Sequence, residues 1–245
     1  MLKTYLKQFS SDPAVRQKAY RKIAHDVCAK GELKLYKSHL IWLTDPEFLQ
    51  VRKAWGEVVS IPDDRCFFLY NAVKNVRQVA GDTVDIGVRF GASSFYILKS
   101  LNDPARRHLL FDSFEGLSEP VGEDAIAGGE SFWKKGDMSV DEQACRKNLS
   151  MFPNCEFFKG WIPERFAEVK DRVFSFVHID VDLYQPTLDS LEFFYNRVSP
   201  GGIILSDDYG SGYCPGAKKA FDDFFAGKKQ HLFHIPTGQA MVVKL

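Results

Sequence analysis

The sequence lacks an excess of charge of either sign: 32 Lys and Arg stand against 32 Asp and Glu, a formal net charge of zero. General nucleic-acid binding is therefore not expected, because it rests on surplus basic residues that displace phosphate counterions. Long apolar runs are also missing. None approaches the roughly 20 residues that cross a bilayer, and Lys3, Lys7 and Gln8 interrupt the first apolar residues before a signal-type segment can form. No membrane partner is expected. The five cysteines, Cys28, Cys66, Cys145, Cys155 and Cys214, are an odd number without a Cys-x-x-Cys spacing. They read as free thiols of a reducing cytoplasm, not as a disulfide framework or a zinc ribbon. A Walker A loop, a His-Glu-x-x-His helix and a Gly-x-Ser-x-Gly elbow are all absent, which removes the common NTPase, zincin and α/β-hydrolase readings.

What is present is a globular composition, 45% hydrophobic and 26% charged over 245 residues, enough for one large domain or two small ones. Residues 1–60 are polar and helix-prone. Tyr20, Ile23, Ala24 and Val27, with Cys28 beside them, recur at the spacing of one amphipathic helix face. A second helical stretch opens at Pro62 and carries Phe67, Leu69, Tyr70, Val73, Val76 and Val79 on one broad face as far as Gly81. The reading is an amino-terminal helical extension over 1–60 and an α/β domain over 61–245.

From Thr83 onward short apolar runs alternate with helical segments, the sign of a mostly parallel sheet. Seven strands are expected: Thr83 to Gly87, His108 to Asp112, Cys155 to Lys159, Phe174 to Ile179, Gly202 to Ser206, His231 to Ile235 and Gln239 to Lys244. Helices are expected between them at Ser93 to Leu101, Val140 to Ser150, Pro163 to Val169, Thr187 to Val198 and Gly216 to Phe225. Only Pro236, Thr237 and Gly238 separate the last two strands, too few for a parallel crossover, so they form an antiparallel hairpin. The acidic stretch between Ser113 and Ser139 is longer than most connections and has the character of a binding loop.

Two groups of residues carry chemistry. Asp85, Gly87, Gly91 and Ser93 stand where a strand ends and a helix begins, the crevice in which open α/β sheets bind ligands. Asp112, at the end of the next strand, is placed to accept both hydroxyls of a ribose or, on the simpler reading, to cap its own loop. The second group is Asp180 and Asp182 with Asp207 and Asp208, two pairs of carboxylates that end two apolar strands. Neighbouring parallel strands bring them to one sheet edge, where they repel one another unless a hard divalent cation such as Mg²⁺ sits among them. Helix capping explains one Asp per strand and leaves the other without a role. His178, inside a strand, reads as a buried, satisfied imidazole. Trp133 and Trp161 can stack on a base or a sugar, or serve ordinary packing.

These residues resemble the macrocin-type sugar O-methyltransferases, S-adenosylmethionine-dependent enzymes that methylate sugar hydroxyls in antibiotic biosynthesis. The segments that carry the resemblance run from Asp85 to Ser93, Phe111 to Leu117, Phe158 to Trp161, Ile179 to Thr187, Ser199 to Gly210 and Cys214 to Ala220, in family order. The resemblance implies a Rossmann-like class I methyltransferase fold with a seven-stranded sheet. It implies that Asp180, Asp207 and Asp208 hold Mg²⁺ and that Asp182 is the general base. Some members of the family take the base from a histidine after the Asp-Ser-Phe-Glu-Gly segment; no histidine lies between His108 and His178, which favours Asp182. The cofactor would lie over Gly87 and Gly91, with Asp112 on its ribose, Ser113, Phe114, Gly160 and Trp161 near the adenine, and Asp85, Ser93 and Asp180 around it. The acceptor implied is a glycoside or nucleotide sugar, and a homo-oligomer is implied through the amino-terminal helices. Two other readings of the residues compete: a metal-dependent hydrolase or phosphotransferase, and a non-catalytic nucleotide-binding subunit.

Overall fold

The computed structural model of the chain describes residues 3, 6–12, 15–16, 18–20, 22–24, 37–58 and 61–245. Two compact units divide between Leu49 and Gln50, eleven residues before the expected boundary at 60, and helix α1 (Pro46–Trp55) spans the division. In the first unit, described residues between 15 and 24 are helical, as the spacing predicts. Tyr20, however, is 52% exposed, and Ala19 beside it is buried. Val27 and Cys28, on the same expected face, lie outside the described residues.

The second unit is built on one sheet. Its strands are β1 (Asp82–Ile86), β2 (His108–Asp112), β3 (Cys155–Lys159), β4 (Phe174–Ile179), β5 (Val198–Ser206), β6 (Phe233–His234) and β7 (Ala240–Val243), in the order β3-β2-β1-β4-β5-β7-β6. The first five pair in parallel, while β7 is antiparallel to both β5 and β6. The five residues between β6 and β7, three in the expected strands, are too few for a parallel crossover and form a hairpin. Five of the expected helical stretches are present. They are α2 (Asp63–Lys74), α3 (Ala92–Leu101), α4 (Glu142–Asn148), α5 (Tyr184–Phe194) and α6 (Pro215–Phe225), and the expected helix at Pro163 to Val169 is a 3-10 turn over Glu164–Val169. Helix α2 ends seven residues short of Gly81. That glycine serves a different purpose: a Cβ there would stand 2.8 Å from the Phe174 backbone, so it lets the chain pass close to β4.

The strand order reverses direction of growth between β1 and β4. Right-handed crossovers on either side of that point place helices on opposite faces, and α2 packs on α3 while α5 packs on α6. Apolar strand residues such as Val84, Phe111, Val177 and Ile204 are buried in the core. Phe111 also stacks on Phe158 at 4.7 Å and meets Phe166 edge-on at 5.3 Å. Aromatic density of this kind under β1 and β2 gives their carboxyl ends a rigid base.

His108 at the start of β2 supplies a test of the packing. It is fully buried, with Nδ1 2.8 Å from the Thr83 hydroxyl and Nε2 without a hydrogen-bond partner among the described residues. Burial pushes its pKa down to about 4, with Asp85 pulling upward and His178 adding to the depression. The unfolded chain therefore takes up a proton near pH 6.5 that the native protein refuses until about pH 4. Stability is expected to fall with pH through this window by up to about 3 kcal/mol. Urea unfolding at pH 7, 5.5 and 4.5 checks this against His108→Gln, whose profile should be flatter; parallel profiles would refute it.

Candidate active site

The carboxyl ends of β1, β2, β4 and β5 open on a cavity of about 750 Å³, within the usual range for small-molecule sites. It lies at the reversal between β1 and β4, where open α/β sheets bind ligands. Of the residues singled out from the sequence, Gly87, Ser93, Asp112, Ser113, Gly160, Trp161, Asp180, Asp182, Asp207 and Asp208 line it. Asp85, Gly91 and Phe114 do not.

The reasons differ. Asp85 is completely buried and is held by protein groups: the hydroxyls of Ser93 and Ser94 donate to Oδ2 at 2.6 and 2.5 Å, and His178 Nδ1 lies 2.8 Å from Oδ1. Gly91 is the residue before α3, with a left-handed backbone (φ +89°), and a Cβ there would press on Leu149 and Cys145. Phe114, also left-handed at φ +60°, contributes its peptide N–H to Asp112. Even Gly87, which does line the cavity, is glycine for a packing reason: at φ +86° its Cβ would fall 1.8 Å from the Asp180 carbonyl oxygen. The chain itself uses the space that close approach of a ligand was expected to need.

Asp112 is fixed at both oxygens. The Arg89 N–H donates to Oδ2 at 2.7 Å and the Phe114 N–H to Oδ1 at 2.6 Å. Burial raises its pKa and these backbone donors oppose the rise. Each oxygen keeps a second lone pair for a ligand hydroxyl. A rigid carboxylate on the cavity wall, with Gly87, Gly160 and Trp161 also lining it, can accept a pair of vicinal hydroxyls.

The four clustered carboxylates are not equivalent. Asp207 is engaged throughout: Gln239 Nε2 donates to Oδ1 at 2.6 Å, His178 Nε2 lies 3.5 Å away, and Arg65 Nη1 donates to Oδ2 at 3.1 Å. Burial acts to raise its pKa, but His178 and Arg65 hold it below the ordinary carboxylate range. Asp180 makes no hydrogen bond through its side chain among the described residues. Burial and the charges of Asp208 and Asp207 push it well above the ordinary range. Asp208 is pushed well up by burial and by Asp182 and Asp207, although the Asp182 N–H donates to its Oδ2 at 3.0 Å. Asp182 lies in the left-handed region at φ +61° and accepts a hydrogen bond from the Cys214 thiol at 3.2 Å. A non-glycine residue there carries backbone strain, a feature that clusters at functional positions.

Ligand atoms of Asp182, Asp208 and Cys214 all lie within 4.8 Å of one another. Mutually repelling buried carboxylates, with Asp180 beside them on the cavity wall, make an oxygen-rich donor set that suits a hard divalent cation. His178 is fully buried with both ring nitrogens partnered, the structural role expected from its strand position.

Two residues of this site, Arg65 and Asp124, carry no local sequence signal, and Trp133, expected to stack or pack, makes a contact that spacing does not show. Arg65, one turn into α2, reaches Asp207 across 142 residues. Trp133, from the long connection, donates its indole N–H to the Cys214 sulfur at 3.4 Å. Asp124 anchors that connection by accepting from the Tyr184 N–H and the Val121 N–H, each at 2.8 Å.

Comparison with known proteins places the sequence and the fold in a family. Residues 60–237 match the macrocin-O-methyltransferase (TylF) family. An 8-demethyl-8-(2,3-dimethoxy-alpha-L-rhamnosyl)-tetracenomycin-C 4'-O-methyltransferase of Streptomyces olivaceus is 33% identical over 146 residues, 56% of this chain and 56% of that protein. Demethyldecarbamoylnovobiocin O-methyltransferase of Streptomyces niveus is 30% identical over 173 residues, 63% of this chain and 65% of that protein. The matches thus span less than two thirds of these relatives' length. Among solved structures, the O-methyltransferase NovP superposes with a TM-score of 0.60 at 26% identity, covering 75% of this chain and 81% of that one. The calicheamicin methyltransferase CalS11 gives 0.62 at 19% identity, over 81% and 93%, a likeness of fold. Among the described residues no helix is long and apolar enough to cross a membrane. With its seven-stranded class I methyltransferase fold and the family match over most of its length, the chain belongs to the macrocin-O-methyltransferase family.

Proposed function

We propose that the chain transfers a methyl group from S-adenosylmethionine to a hydroxyl of a sugar, with Mg²⁺ or a similar divalent cation assisting, in the unit we assign to residues 61–245. The observation that carries this reading is that Asp112 and the carboxylates Asp180, Asp182 and Asp208 share one cavity. A hydrolase or phosphotransferase has no use for Asp112 there, and a non-catalytic nucleotide-binding subunit has none for the carboxylate cluster.

In this reading Asp112 holds the ribose hydroxyls of the methyl donor, with Ser113, Gly160 and Trp161 beside the adenine. Asp85 and Phe114 act from behind the wall, Asp85 by tying Ser93 and Ser94 at the start of α3 to His178. Asp180 and Asp208 would hold the cation with Asp207, whose charge Arg65 and His178 already balance. A bound divalent cation supplies Lewis acidity that lowers the pKa of an acceptor hydroxyl. Asp182 accepts the hydroxyl proton at its carboxylate. The acceptor oxygen then forms its bond to the methyl carbon as the carbon–sulfur bond breaks, leaving adenosylhomocysteine. Binding a vicinal diol at the carboxylates would fix which oxygen faces the methyl group.

Calorimetric titration with S-adenosylhomocysteine tests the reading. Micromolar binding is expected, weakened at least about tenfold by Asp112→Ala, the loss of one charged hydrogen-bonding partner. No binding at millimolar ligand would overturn it.

A further inference from the structure

We infer that Cys214 is a positioning residue for Asp182, and that Trp133 of the long connection sets the direction of the hydrogen bond between them. The inference rests on the methyltransferase reading, in which Asp182 accepts the proton, and adds to it the groups that aim that carboxylate. The Cys214 sulfur lies 3.2 Å from Asp182 Oδ1, and the Trp133 indole nitrogen lies 3.4 Å from the same sulfur. An indole N–H can only donate, and Asp182, ionised when it serves as base, can only accept. The sulfur between them therefore accepts from Trp133 and donates its proton to Asp182. Cys214 and Asp182 are 3% and 8% exposed, so water competes little for this bond.

Asp182 needs such support. Its backbone is left-handed at φ +61°, a conformation that a non-glycine residue keeps only where its neighbours hold it. The Asp182 N–H is fixed on Asp208 Oδ2 at 3.0 Å, but that bond leaves the side chain free to turn. Among the described residues Cys214 provides the one side-chain hydrogen bond to the carboxylate. With Oδ1 held by the thiol, Oδ2 is the oxygen left to receive a proton.

Cys214 is itself held in place. Its N–H donates to the Ser211 carbonyl at 3.2 Å, and Pro215 follows it as the first residue of α6, so the thiol stands at the fixed entry of that helix. The long connection grips this region twice. Asp124 accepts from the Tyr184 N–H, two residues after Asp182, at 2.8 Å. It also packs on Gly216 so closely that a Cβ there would fall 1.8 Å from Asp124 Oδ1. Trp133, which lines the cavity, reaches the sulfur. Packing alone does not call for a thiol at 214, since valine fills a similar volume but cannot pass a hydrogen bond on. The connection that lines the cavity is thus two hydrogen bonds from the base, and displacing Trp133 loosens Asp182.

Crystal structures of Cys214→Ser and Cys214→Val with adenosylhomocysteine bound test this. Serine keeps a donor, and valine keeps the bulk without one. Asp182 is expected in its present rotamer in Cys214→Ser and in a different one in Cys214→Val. Turnover of methyl α-L-rhamnoside, a vicinal-diol probe, should follow the same order: kcat about tenfold lower in Cys214→Val and within about threefold of wild type in Cys214→Ser. Neither substitution should move KM for S-adenosylmethionine by more than about twofold. Trp133→Phe removes the indole N–H from a half-buried ring. It is expected to lower kcat about threefold alone and to add nothing to Cys214→Val, because it acts through the sulfur. An unmoved Asp182 in Cys214→Val, serine no better than valine, or additive losses in the double variant would overturn the positioning role and leave the base assignment standing. Wild-type protein that binds no adenosylhomocysteine would overturn the methyltransferase reading itself.

Discussion

Asp182→Asn is expected to lower kcat for methyl transfer by 10²- to 10⁴-fold, the usual worth of a positioned general base. The substitution keeps the side-chain shape and the peptide N–H that donates to Asp208, so the turn after β4 should form as before. What it removes, in the role we propose for Asp182, is the proton acceptor. An alcohol is a poor nucleophile until its proton leaves, and the neutral amide cannot take it. Adenosylhomocysteine affinity is expected to change by less than about threefold, since Asp112, the residue we assign to the ribose, is untouched. Mg²⁺ affinity separates the two roles open to Asp182. The ligand atoms of Asp182, Asp208 and Cys214 lie within 4.8 Å of one another, close enough for Asp182 to ligate a cation as well as to accept a proton. If kcat falls while the Mg²⁺ concentration for half-maximal activity stays within a few-fold, Asp182 is the base. A parallel loss of both would make it a ligand and leave the proton to another group.

Much of this arrangement could be read from residue order because it depends on short-range pattern. The strands His108 to Asp112, Cys155 to Lys159 and Phe174 to Ile179 coincide with the observed limits, since each is a compact apolar run closed by a polar residue or a turn. The hairpin followed from a connection too short for anything else. The carboxylates at the ends of β4 and β5 were legible for the same reason: parallel neighbours in register bring strand ends to one edge, and Ile179 is indeed paired with Ser206.

What periodicity could not show were differences among residues of one type. Asp180, Asp182, Asp207 and Asp208 look alike in sequence, yet of the four it is Asp207 to which Arg65 and Gln239, from opposite ends of the domain, donate hydrogen bonds. Likewise Gly87 and Asp85 appear as a ligand-facing pair at a strand end. Their roles depend on what approaches them: the Asp180 carbonyl oxygen in one case and the Ser93, Ser94 and His178 side chains in the other. Contacts over such sequence distances leave no trace in spacing.

Asp85 therefore gives the sharpest distinction between a ligand-touching and a positioning role. Asp85→Asn is expected to destabilise the protein by about 3–5 kcal/mol, the cost of breaking a buried charged pair by removing one partner. Three groups bond to this carboxylate, and for one of them, His178, burial acts against charge while Asp85 and Asp207 raise its pKa well above the ordinary value. An amide offers a single acceptor oxygen in place of two and carries no charge. Either Ser93 and Ser94 or the His178 ring must then lose its bond, and among the described residues His178 is left with the Asp207 carboxylate at 3.5 Å. Urea unfolding measures the loss, and calorimetry on the folded variant measures what remains of the site. A large fall in stability with adenosylhomocysteine affinity reduced less than about threefold would establish that Asp85 works by fixing the start of α3 and the His178 imidazole, out of reach of the ligand. Unchanged stability with an affinity reduced tenfold or more would place the carboxylate in direct contact with the methyl donor, as the family resemblance implies.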